Sequence, residues 1–169
     1  MRFRCQHIFH TDIDTYWSQI FFDHEYNRRL YLDALGFRRW EMLEFEELPN
    51  GVRRRKLFLE PQGSAPAFIH KLVGDSIGYY EEGTFDPHRR IWSYRITLNK
   101  LADKARIAGE FWVEPRGPKQ VERICDVDVN IDIFGVGGMV ERFIESQTRA
   151  NYEKATEFTN AWIRERGLG

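Results

Sequence analysis

The chain has 169 residues and a mass of 20.2 kDa, which suits one domain and is long enough to bury about two thirds of the surface its unfolded form exposes. Twenty-five Lys and Arg against 26 Asp and Glu leave a formal charge of -1, so no global field draws the chain to nucleic acid or anionic lipid, and no run approaches the roughly 18 apolar residues of a membrane span. Two cysteines, Cys5 and Cys125, make no disulfide framework, and the start Met1-Arg2-Phe3-Arg4-Cys5 lacks the apolar core and cleavage site of a secretory signal, so the expectation is a cytoplasmic protein with free thiols.

Residues 3 to 10 alternate as a strand. Asp12 or Asp14 can cap a following helix in which Ile13, Tyr16, Trp17, Ile20 and Phe21 recur at helical spacing. A second helical pattern runs from about His24 to Leu35 and stops at Gly36, the residue that best tolerates a left-handed end. The period then becomes two, with Pro49-Asn50-Gly51 turning a hairpin between Arg38–Leu48 and Val52–Glu60. The turn-rich Gln62-Gly63-Ser64-Ala65-Pro66 leads into Ala67-Phe68-Ile69-His70-Lys71-Leu72-Val73, read as a loop with one or two helical turns. Four more strand patterns follow, at about 76–86, 90–99, 105–114 and 120–133, with short links that favour an antiparallel meander. From Gly138 to Arg166 the period returns to 3.6, long enough for a helix of about 40 Å at 1.5 Å per residue that crosses the whole sheet.

The order is therefore strand, two short helices, six strands and one long helix. This order, with the Phe134-Gly135-Val136-Gly137-Gly138 entry into the last helix, resembles the helix-grip fold of the START-like, Bet v 1-like (SRPBCC) superfamily, whose members are similar to StAR-related lipid-transfer and polyketide cyclase-like proteins. The resemblance covers essentially the whole chain. It implies an α+β architecture in which a curved seven-stranded antiparallel sheet wraps a long C-terminal helix, with two short helices between strands one and two. It also implies a cavity between sheet and helix that takes a hydrophobic small molecule, with chemistry in some branches.

The strand phases indicate what would line such a cavity. In the last strand Cys125, Val127, Val129 and Ile131 share the helix-facing side, while Asp126, Asp128, Asn130 and Asp132 face out. Its neighbour then turns Ile107, Gly109, Phe111 and Val113 inward, although Trp112 on the other face leaves that phase open. Gly109 would leave room rather than fill it. Trp92, Tyr94 and Ile96 form the apolar face of the fifth strand, and Tyr79 or Tyr80 must accompany one of Glu81 and Glu82 inward. On the long helix Gln147 and Asn151 share a stripe with Phe143 and Phe158, where a sealed core would use Leu or Ile, and an inward amide without a partner costs about 1–3 kcal/mol. Tyr79, Glu81, Trp92, Tyr94, Phe111, Val127, Phe143, Gln147 and Asn151 are thus the candidate ligand-binding residues, with amides and carboxylate serving the polar end of an apolar ligand. The alternative is that these polar groups bond to backbone, to each other or to water. Phe68, Ile69 and Leu72 are candidate gate residues on a short element that could touch a membrane while opening, or merely cap the sheet.

Other motifs carry little. Asp126-Val127-Asp128-Val129-Asn130 starts like a calcium loop but has Ile131 and Gly137 where Gly and Glu are required. Gly135-Val136-Gly137-Gly138 has no following strand to complete a dinucleotide site. Arg53-Arg54-Arg55-Lys56 alternates between strand faces, pairing with Glu41, Glu44 or Glu46 across the hairpin unless Arg54 or Lys56 faces the cavity and meets an acidic head group. Cys5 and His7 make a poor metal pair. Asp23-His24-Glu25 could hold a general base, though capping explains it more simply. No catalytic residue, metal or cofactor is assigned. The leading expectation is binding and intracellular transport of a lipid, sterol or polycyclic compound, without nucleic acid. The alternatives are a cyclase or dehydratase-like enzyme using the same cavity, and an interaction module with a filled interior.

Overall fold

The computed structural model describes residues 1–63 and 65–169; Ser64, in the expected turn-rich stretch, lies outside them. The elements are β1 (Arg2–Phe9), α1 (Ile13–Thr15, continuing in the wider π-helical turns of Tyr16–Phe21), α2 (His24–Arg29, continuing likewise over Leu30–Ala34), β2 (Arg39–Glu47), β3 (Arg53–Glu60), α3 (Ala67–Val73), β4 (Tyr79–Asp86), β5 (Ile91–Leu98), β6 (Ala105–Gly117), β7 (Gln120–Ile131) and α4 (Gly137–Arg166). The seven strands form one curved antiparallel sheet in the order β1-β7-β6-β5-β4-β3-β2, so the chain's first strand sits beside its last.

Local chemistry explains the joints. Asp12 accepts the Thr15 N–H at 2.8 Å and Asp23 accepts the Tyr26 N–H at 2.7 Å, so each aspartate satisfies a free donor at a helix start. The Asp23 cap accounts for the Asp23-His24-Glu25 cluster, in which Glu25 pairs with Arg28 and His24 packs edge-on to Trp40. Gly36 adopts φ +67° after α2. β6 runs three residues further than its alternation predicts, because Pro115 still pairs with Val121 and a register shift absorbs the irregularity before Gly117 meets Gln120.

The register fixes every strand phase. Cys125, Val127, Val129 and Ile131 are buried on the inner face, opposite Phe111, Gly109, Ile107 and Ala105. Trp112 points out, where Arg4 lies over its ring and its indole N–H donates to Glu114. Tyr79 and Glu81 point in, whereas Glu82 points out and pairs with Lys56 at 3.0 Å. In the basic run it is Arg55 that faces inward, on the same phase as buried Leu57 and Leu59, so an inward Arg54 or Lys56 is ruled out. The expected cross-hairpin partners also differ: Lys56 pairs with Glu82 of β4, and Arg53 pairs with Glu47. The outward aspartates of β7 hold Arg4 and Arg2 from β1 at 2.7 and 2.9 Å, which is the solvated face expected of a non-calcium strand. Cys5 and Cys125 are free and directly opposite each other between β1 and β7.

α4 packs mainly on β1, β7 and the Leu30–Ala34 turn rather than across all seven strands. Gly137 sits so close to the Ile131 carbonyl that no side chain would fit, so this glycine lets the helix start directly against the sheet. No helix of the described residues is long and apolar enough to cross a membrane.

Candidate functional site

A helix anchored on one half of a curved sheet leaves space over the other half. That space is a cavity of about 370 Å³. Its walls come from the inner faces of β3 to β7, the two π-helical turns, α3 with its flanking loops, and the first two thirds of α4. The lining is mostly apolar and aromatic, the ordinary character of a small-molecule site.

All nine candidate ligand-binding residues, Tyr79, Glu81, Trp92, Tyr94, Phe111, Val127, Phe143, Gln147 and Asn151, border this cavity, and so do Ile69 and Leu72 of α3. Phe68 does not border it and is half-buried beside it. Exposure varies along the wall. Tyr16, Tyr26, Asn27, Trp92, Phe111 and Ala155 are buried and form its floor, while Gln62, His70, Asp75, Lys104 and Gln147 are exposed and mark its mouth near α3. Gln147 therefore keeps contact with solvent and Asn151 is half-buried, so neither bears the full cost of a dry unpartnered amide.

Three polar features of the wall are not evident from the candidate list. First, Glu81 is half-buried beside Arg55, with Oε1 3.3 Å from Nη2; desolvation pushes its pKa up, and the Arg55 charge works against that rise. Arg55 also donates to the Asn27 side-chain oxygen and the Phe21 carbonyl, and it lies over the Phe21 and Trp92 rings. Second, Tyr94 and Tyr152 approach the Cys125 thiol at 3.8 and 3.3 Å. Burial drives both phenols well above their ordinary pKa, so they stay protonated donors. Third, Arg123 reaches the floor from β7, only 8% exposed, with its guanidinium over the rings of Tyr152, Phe9 and Phe111.

Both arginines were legible in principle. Residue 123 has the same phase as Cys125, Val127 and Val129, and residue 55 the same phase as Leu57 and Leu59; only the habit of assigning arginine to solvent hides them. Outside the wall, buried His7 touches exposed Glu153 at 3.2 Å, and this is the only histidine–carboxylate ion pair among the described residues. Those residues contain no group of three metal-ligating side chains.

The arrangement matches known folds over nearly its whole length. The chain is similar to the Zhui aromatase/cyclase from Streptomyces sp. R1128, at 14% identity and a TM-score of 0.66 over 98% of this chain and 94% of that one. It is similar to norcoclaurine synthase from Thalictrum flavum, at 15% identity and 0.65 over 98% and 87%, and to a START superfamily protein from Mycobacterium smegmatis, at 13% and 0.58 over 97% of each. These likenesses show the helix-grip fold of the START-like, Bet v 1-like superfamily. No curated protein matches the chain. A family model described as "Protein of unknown function (DUF2505)" matches residues 4–163, and with that coverage the chain belongs to the DUF2505 family.

Proposed function

We propose that this protein binds a hydrophobic small molecule, of lipid, sterol or polycyclic type, in the cavity between sheet and α4, and carries it between sites in the cell. The observation that supports this reading is the cavity itself: about 370 Å³ walled mostly by aromatic and aliphatic side chains, at the lower end of the usual range for small-molecule sites. That size suits a single chain or a few fused rings better than a two-chain lipid. Burial of some fifteen CH₂ groups contributes on the order of 12 kcal/mol gross, before association and ordering costs remove a large part. Phe68, Ile69 and Leu72 would act as the gate, with α3 opening at a membrane surface, and Gln147 and Asn151 would meet the ligand at the mouth.

The test is extraction of the freshly purified protein with organic solvent and mass spectrometry of the extract, against the same protein with Trp92 and Phe111 replaced by Glu and Lys. A stoichiometric apolar compound that disappears in the variant supports the reading. An extract free of such a compound, together with no uptake of a fluorescent apolar probe, refutes it.

A second reading, a cyclase or dehydratase-like enzyme, draws on Glu81. A half-buried carboxylate whose pKa is raised can hold or deliver a proton at the cavity wall. Under this reading the extracted compound would be a product, and its precursor would be consumed by the wild type but not by Glu81→Gln.

A further inference from the structure

The cavity floor contains a cation with no ion-pair partner among the described residues. Arg123 is more than nine-tenths buried, and its Nε and Nη2 have no hydrogen-bond partner among the described residues. Tyr16, Tyr26, Tyr152 and the Cys125 thiol are among its ionisable neighbours, and it forms no ion pair with a carboxylate among the described residues. Its guanidinium lies 4.6 Å from the Tyr152 ring centre, 5.1 Å from that of Phe9 and 5.9 Å from that of Phe111. Such stacking fixes the plane of the fork and returns a little of the lost hydration, but it neutralises nothing.

Arg55, the other buried guanidinium, shows what a compensated one looks like in this protein. It has a carboxylate, an amide oxygen and a carbonyl oxygen around it. Away from the exposed mouth, the charged groups of the wall among the described residues are therefore buried Arg55 and Arg123 and half-buried Glu81, an excess of one positive charge. An isolated buried charge is among the costliest things a protein can hold, so an unpaired fork that borders a cavity is best explained by an acceptor that arrives from outside.

We propose that the floor of the cavity is an anion subsite, and that the ligand is an amphiphile with an apolar body and a single carboxylate seated on the Arg123 fork. This rests on the ligand-binding reading above and names the chemical class of the ligand. The Nε–Nη2 edge is unpartnered but covered by its neighbours, so a carboxylate engages it, two coplanar oxygens to two donors in the bidentate geometry arginine favours, by displacing the side chains that cover it. The hydroxyls of Tyr94 and Tyr152, held protonated by burial, add neutral donors nearby and no competing anion. The apolar body then extends past Trp92 and Phe111 toward the mouth, where Gln147 and Asn151 are exposed or half-buried. The orientation is acid first, so the expected polar contact at the mouth is secondary.

Matched probes test this: 1-pyrenebutyrate against 1-pyrenebutanol, and decanoate against 1-decanol, titrated into the delipidated protein by fluorescence and calorimetry. The wild type is expected to bind each carboxylate about tenfold to a hundredfold more tightly than its alcohol, the range for a charge-assisted bidentate contact. In Arg123→Leu the carboxylate preference should vanish while alcohol binding is kept, and Arg123→Lys, which retains the charge without the fork, should fall between. Should Arg123→Leu fail to fold, the wild-type ratio and the Lys variant still decide. Equal affinity for acid and alcohol in the wild type, or an unchanged ratio in Arg123→Leu, overturns the anion subsite and leaves the apolar reading standing. Failure of all four probes to bind overturns both.

Discussion

The phenol of Tyr94 lies across Gly109 on the neighbouring strand: a methyl group placed on residue 109 would come within 2.5 Å of the Tyr94 hydroxyl oxygen and 2.8 Å of the Asp126 carbonyl. The room Gly109 leaves is therefore not part of the hollow but the seat of a cavity-lining ring. Gly109→Val must move Tyr94 toward the cavity and strain a backbone contact that cannot rotate away. A loss of about 1–3 kcal/mol is expected, which lowers the melting temperature by several degrees, with weaker uptake of any apolar probe. A variant as stable as the wild type, with equal uptake, would show that Tyr94 is not held by the glycine.

Arg55 and Glu81 should behave as a coupled pair. Glu81→Leu alone leaves a buried guanidinium with only neutral partners, at an expected cost of about 3–5 kcal/mol, whereas Arg55→Met/Glu81→Leu together should recover most of that loss. Urea unfolding of both single variants and the double variant gives the coupling energy. Additive losses would mean that the two side chains do not compensate one another.

Acid sensitivity should depend on His7. Burial first, then the Arg123 charge, lowers its pKa below the usual 6.5, against a weaker opposing pull from Glu153. The unfolded chain thus binds a proton at a higher pH than the folded one. Stability from this group is complete above about pH 6.5 and is lost as pH falls toward the depressed folded value. His7→Phe should flatten the fall in melting temperature between pH 7 and pH 5. Thermal melts across that interval in wild type and variant provide the measurement, and parallel curves would remove His7 from the effect.

Gate and mouth should separate kinetically. Phe68→Ser/Leu72→Ser is expected to slow transfer of a pyrene-labelled ligand between phosphatidylcholine vesicles severalfold, with equilibrium affinity within about twofold of the wild type. Stopped-flow transfer and titration read the two quantities, and unchanged transfer would end the gate proposal. Asn151→Leu, at a half-buried position, should alter affinity more than Gln147→Leu, at an exposed one.

The sequence by itself determined the elements, their order and, for most strands, which side chains share a face. Alternation in 120–133 and the 3.6-residue stripe of 138–166 are local properties of a chain that must hide one side, and they carry through to β7 and α4 almost residue for residue. Neighbour-dependent facts were beyond that reach. Which member of Arg53-Arg54-Arg55-Lys56 turns inward follows from the β3 register, and the shift between Met42 and Glu44 then sets what β2 presents against it. That α4 sits on β1 and β7, leaving β4 and β5 to face a hollow, is a matter of packing over the whole chain. The same packing brings Arg123 beside Tyr152 of α4 and Phe9 of β1, and it stations Arg55 but not Arg123 next to a carboxylate. Periodicity reports how a segment meets water; the partner of a buried charge lies far along the chain, so only the tertiary structure decides whether that charge is matched.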